Sequence, residues 1–204
     1  MQTKDQTGIH IEGHIKIYDP ISAEVYINKR NAIHYENISI AMAQSLANAK
    51  EGGFVYQMAF GNGGTAIDPT GIVSYLTPNS SGANASLYNQ TYSKVVDERS
   101  STNTDPTRNF TEVRHTTGTN YSDIFVTCLL DYGEPSGQTA FDTTTDNSST
   151  FTFDELGLVS YSTTGQSLLL THVIFHPVLK SLNRLIQIDY TVRIQSLTGL
   201  SEVA

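Results

Sequence analysis

The sequence predicts a mainly β domain, an antiparallel β-sandwich or barrel-like fold with one α-helix near residues 37–50. Three observations predict it. Apolar and polar residues alternate over residues 9–17 and again over 186–194, the period of a half-buried strand. Short apolar runs recur along the rest of the chain between polar turn segments. Charged residues make up only 16% of the chain while Thr, Ser and Asn are abundant, a balance that favours strands and turns over long helices.

Taken in order, residues 9–17 set Ile9, Ile11, Gly13, Ile15 and Ile17 against His10, Glu12, His14 and Lys16. Asp19-Pro20 ends this strand, and residues 23–28 return as the second arm of a hairpin. Over residues 37–50 the period changes, because Ile38, Ala41, Met42 and Leu46 share one helical face. Asn37 is placed to cap the first turn and Gly52-Gly53 to end the helix. Residues 54–60 resume as a strand and run into Gly61-Asn62-Gly63-Gly64, a turn able to take positive φ. Further strands are expected at 87–96, 110–115, 121–130, 151–158, 168–175 and 186–194, with polar loops at 77–85, 102–109 and 142–150. No repeat or linker divides the chain. Residues 1–204 therefore read as one domain behind a short flexible start over residues 1–8, long enough to bury about 70% of its unfolded surface without a staple.

A net charge of −8 argues against a groove that follows phosphates, so no nucleic acid is expected as a partner. No apolar run approaches the roughly 18 residues of a membrane span, and the polar start lacks the basic and apolar regions of a signal peptide. Assembly in a cytoplasm, away from membranes, is the expectation. The single cysteine, Cys128, lies in an apolar run and reads as a core thiol, with no partner for a disulfide or a thiolate zinc site.

Several constellations suggest chemistry and fail on spacing. His10-x-Glu12-x-His14 resembles a metal site, but positions i and i+4 of a strand stand about 13 Å apart, and His172 and His176 fail likewise. Gly61-Asn62-Gly63-Gly64 lacks the Gly-Lys-Ser/Thr ending of a phosphate loop. Asp142, Asp146 and Asn147 match no EF-hand spacing. Asp97-Glu98 and Asp154-Glu155 are adjacent pairs, and neighbours on a regular strand point to opposite faces. No nucleophile elbow occurs, so neither an enzyme nor a cofactor is expected.

Two stretches carry a family resemblance. Gly13-His14-Ile15-Lys16-Ile17-Tyr18-Asp19-Pro20, followed by Asn28-Lys29-Arg30-Asn31-Ala32-Ile33-His34-Tyr35-Glu36-Asn37, resembles the opening of virion structural proteins of tailed bacteriophages. Phe153-Asp154-Glu155-Leu156-Gly157-Leu158, then Leu169-Leu170-Thr171-His172-Val173 and residues 186–194, is similar to the β module of phage tail-collar and fibre-attachment proteins. Met58-Ala59-Phe60-Gly61-Asn62-Gly63-Gly64 and Asp68-Pro69-Thr70-Gly71 lie between them and fit the same pattern. The resemblance implies a virion component assembled in the host bacterial cytoplasm, foremost a neck, collar or head-to-tail connection protein. A capsid decoration protein and a baseplate or fibre-anchoring protein are the alternatives, and a glycan-binding β domain, suggested by Tyr75, Tyr88 and Tyr92, is the reading from another class.

The implied partners are copies of the chain itself, as a ring-like homo-oligomer, and other virion proteins of the portal, neck, tail or capsid. Candidate interface residues are Lys29, Arg30, His34 and Tyr35 in segment 28–35, with Asn79, Asn84, Arg108, Asp142 and Asp146 in the three polar loops. Those loops cannot build a core, so they are expected to be held loosely in a free monomer and to serve virion contacts.

Overall fold

A computed structural model describes residues 8–49, 52–82, 85–135, 150–163 and 167–197. Two five-stranded antiparallel sheets and a two-stranded ribbon account for the strands. The first sheet has the order β2 (Val25–Arg30), β1 (Gly8–Tyr18), β12 (Ile186–Leu197), β9 (Tyr121–Leu130), β8 (Phe110–His115). The second runs β3 (Ala32–Ile33), β11 (Thr171–Ser181), β10 (Thr150–Ser160), β4 (Val55–Gly61), β7 (Gln90–Val95). The ribbon is β5 (Thr65–Ile67) with β6 (Val73–Tyr75). Among the described residues no ladder joins the two large sheets, so of the two predicted architectures the sandwich is the one formed.

Alternation explains the core. Ile15, Ile17, Ile186, Ile188 and Tyr190 of the first sheet are fully covered by Phe60, Phe153, Leu156 and Phe175 of the second. Phe153 sits at the centre with its ring edge-on to Phe60 and Phe175, at 5.5 and 5.7 Å. On the outer face of the first sheet a row of alternating sign crosses four strands, Glu12–Arg193–Asp123–Arg114 in register. Arg193 closes it with two bonds to Asp123 at 2.8 and 2.9 Å.

One alternating position is a glycine for a reason of space. A Cβ on Gly13 would lie 1.9 Å from the Asn31 amide, which turns into the core and donates to the Tyr190 hydroxyl. Across the sheets, Lys29 donates its ammonium to the Ile174 carbonyl at 2.8 Å, tying the edge of the first sheet to β11.

The helix, α1 (Tyr35–Leu46), starts and stops earlier than the sequence suggests. His34 is the N-cap, its Nδ1 accepting from the Asn37 amide, whereas the Asn37 side chain is buried and donates to the Leu169 carbonyl at 2.8 Å. Imidazole capping lies outside the usual Ser/Thr/Asp/Asn rule, so the residue preference points to Asn37 while His34 does the capping. The helix ends before the glycines, where Asn48 takes a positive φ of 50°. Ile38 and Ala41 are buried, but Leu46 lies exposed beyond the sheet edge.

Lys180 is the buried Lys or Arg among the described residues. Its ammonium donates to the carbonyls of Asp131, Glu134 and Ser181 at 3.0, 2.7 and 2.8 Å. Burial pushes it down to about 8, against the pull of Glu134 and Asp131. Below that pH both folded and unfolded chains carry the proton and the penalty for burying the charge is constant. Between about 8 and the ordinary lysine value near 10.4, the unfolded chain binds more protons, so stability rises with pH. Relative to Lys180→Met, the wild type should gain on the order of 2 kcal/mol across that window in denaturant titrations. A flat difference would show that the three carbonyls hold the lysine fully charged.

Candidate functional site

Phe153 and Leu156 both enter the core, although residues three apart on a regular strand face opposite ways. The register shift between Phe153 and Glu155 reconciles them, and it turns Asp154 and Glu155 together toward the turn after β4. The expectation that the two carboxylates point apart is thereby corrected. Asp154 accepts the Gly64 and Thr65 amides, both at 2.9 Å, and the Thr65 hydroxyl. Glu155 accepts the amides of Gly63, Asn89 and Tyr88 at 3.1, 2.8 and 3.0 Å.

The fourth donor to Glu155 is His172, with Nε2 at 2.9 Å. Its Nδ1 accepts the Asn79 amide at 2.8 Å, so that nitrogen is unprotonated and Nε2 carries the hydrogen. Both side chains of this pair are fully buried. Burial pushes the Glu155 carboxyl up, but His172 and the Asn89, Tyr88 and Gly63 amides outweigh it and hold it below the ordinary glutamate value. The glycine-rich turn is thus an anion-binding nest whose anions are the chain's own carboxylates. Chemically the arrangement is a clamp: the two carboxylates bond backbone amides, the Thr65 hydroxyl and His172, which in turn holds the Asn79 amide.

What the clamp holds is the β5–β6 hairpin. Its tip, Asp68-Pro69-Thr70-Gly71, is organised by the Asp68 carboxylate, which accepts the Thr70 and Ile72 amides at 2.8 and 3.0 Å. Gly71 takes the positive φ, 86°, that closes the turn. At the root, the Leu76 amide bonds the Gly64 carbonyl at 2.9 Å. Ile67 and Ile72 flank the tip and are 63% and 66% exposed, with Tyr75 and Leu76 exposed beside them. The hairpin was readable from its turn residues between Ala66-Ile67 and Ile72-Val73, but three-residue strands fall below the length at which alternation gives a signal.

A second feature had no sequence signal. Between the sheets, at the end where β4 begins, lies an open apolar cleft of about 450 Å³. Ile11, Val192 and Ile194 line one wall, Leu158 and Leu170 the other, and Ile38 and Met42 of α1 close the side. Its lips are Leu46, 86% exposed, and Val113, 72% exposed. Arg99 stands at the mouth over the Phe54 ring, bonded to Asp97 at 3.1 Å.

The interface residues expected from sequence fall in different places. Arg30 is exposed, 3.5 Å from Glu12, and Tyr35 is exposed on the first turn of α1. Lys29 spends its ammonium on Ile174. His34 is fully buried, capping α1 and meeting the Gly82 carbonyl at 3.0 Å, so it offers no surface and that expectation is corrected. Asn79 fastens its loop to His172 and to Ser86, and Arg108 braces Asp105 and Asp131. Loop 102–109 is further bound by Asn103 to the Asp97 and Asn109 carbonyls at 3.1 and 2.8 Å. These bonds organise the described parts of loops 77–85 and 102–109, and residues 142–149 of the third loop lie outside the described residues. Asn84, Asp142 and Asp146 lie outside the described residues. Cys128 is buried, and burial pushes its thiol up to about 12.

No family model, curated protein or solved structure matches the chain.

Proposed function

We propose that this chain is a structural component of a tailed-bacteriophage virion, a neck, collar or head-to-tail connection protein that works through protein–protein interfaces. The observation that carries the reading is the β5–β6 hairpin. Two buried carboxylates hold its root, an Asx turn fixes its tip, and the result is a rigid ribbon presenting Ile67 and Ile72 to solvent. Rigid presentation lowers the ordering entropy of association, which is the property wanted in an assembly contact. The segments that form the ribbon and its clamp, Asp68-Pro69-Thr70-Gly71 and Asp154-Glu155, belong to the stretches that resemble phage virion proteins.

Ile67→Asp/Ile72→Asp should leave the purified chain folded, since both side chains are exposed, and should cut its incorporation into particles at least about thirtyfold, the loss of a central apolar anchor. Labelled wild-type protein should appear at the head–tail junction in electron micrographs. Label scattered over the capsid faces would move the chain to the decoration class, and its absence from particles would end the virion reading.

A further inference from the structure

The first sheet ends in an open edge. Among the described residues β8 pairs with β9 alone, and Glu112, Val113, Arg114 and His115 are all exposed. The Thr111 amide points away from β9, to the Glu98 carboxylate at 3.2 Å. By the two-residue period of an antiparallel ladder, the amides and carbonyls of Val113 and His115 point the same way. Glu98 covers the first outward amide of this edge, and among the described residues no third strand covers the next two. An uncovered edge is a template for one further strand.

We propose that the further strand is β8 of a second copy of this chain, antiparallel and centred on Val113, so that the two first sheets run on as one through a twofold axis. With Val113 opposite Val113 of the second copy, the two residues exchange both backbone bonds, as their outward direction requires. Glu112 then stands opposite Arg114 of the second copy, and Arg114 opposite its Glu112. The row Glu12–Arg193–Asp123–Arg114, alternating in sign across four strands, is thereby continued by Glu112 of the second copy. Slipping the pair by two residues would set Arg114 against Arg114 in one direction and Glu112 against Glu112 in the other, and like charges directly opposite are destabilising. Arg114 already bonds Glu112 of its own strand at 2.5 Å and lies over the Phe125 ring. In the dimer the four charges form a square of alternating sign, in which each arginine keeps its own glutamate and gains a second. Exposed pairs contribute little, so they set the register. The affinity comes from the backbone bonds and from covering Val113, 72% exposed in the free chain. The contact is isologous and closes at two copies. It draws on β8 alone and holds whether or not the chain is a virion component.

Sedimentation velocity tests this. The wild type should dimerise. Val113→Pro removes an amide that points away from β9, so the chain should stay folded and should dimerise at least about thirtyfold more weakly. Glu112→Arg and Arg114→Glu each set like charges opposite one another across the axis, and each alone should dimerise about tenfold more weakly. Mixed, the two should form a heterodimer of near wild-type affinity, since every arginine then faces a glutamate. Glu112→Arg/Arg114→Glu in one chain should recover the homodimer for the same reason. A wild type that stays monomeric at millimolar concentration overturns the proposal. So does Val113→Pro that dimerises like the wild type, or a mixture of the two charge variants that associates no more tightly than either alone. Should circular dichroism show Val113→Pro unfolded, the charge variants, both at exposed positions, decide the question.

Discussion

Replacing Glu155 with Ala is expected to remove about 3 to 5 kcal/mol of stability, the cost of leaving several buried donors unsatisfied and a large part of what a domain of this size possesses. The substitution deletes one carboxylate and strands four donors: the amides of Gly63, Tyr88 and Asn89 and the Nε2–H of His172. His172 cannot escape by changing tautomer, because its other nitrogen is committed to the Asn79 amide. Glu155→Gln should fare little better, since its amide nitrogen brings further hydrogens into a site already full of them. Denaturant midpoints of the variants should fall together, and amide exchange should quicken first at Gly63, Tyr88 and Asn89. A midpoint within about 1 kcal/mol of wild type would mean that water replaces the carboxylate at no great cost.

The same carboxylate gives an acid limit to the fold. Its folded value is held below the ordinary glutamate value, so the stability it contributes is complete above about pH 4.3 and is lost as pH falls through the lower folded value. Acid unfolding of the wild type should steepen in that range, and the Ala variant should lack this component.

In the last third β12 was legible by its period, because buried and partly buried residues alternate along it, whereas β10 and β11 are buried on both faces over residues 153–160 and 171–175 and were legible from their apolar content. Residues 110–115 and 121–130 coincide with β8 and β9. The clamp was not legible, because it depends on a register shift, and a shift is a property of two strands together; Asp154-Glu155 read alone obeys the rule it breaks in the fold. Likewise the cleft is lined by residues from α1, β8 and both sheets that are distant in sequence, and no residue announces it. Of the candidate surface, Arg30 and Tyr35 were legible as exposed positions, while His34 was not, since imidazole capping lies outside the usual cap residues and its Gly82 contact is tertiary.

How far alternation can be trusted is decided by one substitution made at two positions of the pattern. Ile188→Asp is expected to prevent folding. Ile188 is fully buried, paired with Ile17 on one side and Cys128 on the other, both also fully buried. Losing its burial costs about 1.5 to 3 kcal/mol, and a carboxyl placed there finds no donor, so it must protonate or stay charged without a partner. The sum exceeds about 5 kcal/mol, the lower bound of a domain's stability, and the protein should collect in the insoluble fraction. Ile9 belongs to the same uninterrupted pattern and was expected to be buried with it, yet it is 62% exposed. Its partner is Ser196, near the end of β12, where the opposing sheet no longer covers the strand. Ile9→Asp should therefore shift stability by no more than about 0.5 kcal/mol. Period assigns a side chain to a face; only the extent of the layer above it decides whether that face is covered. Equal losses at the two positions would mean that a partner chain covers Ile9.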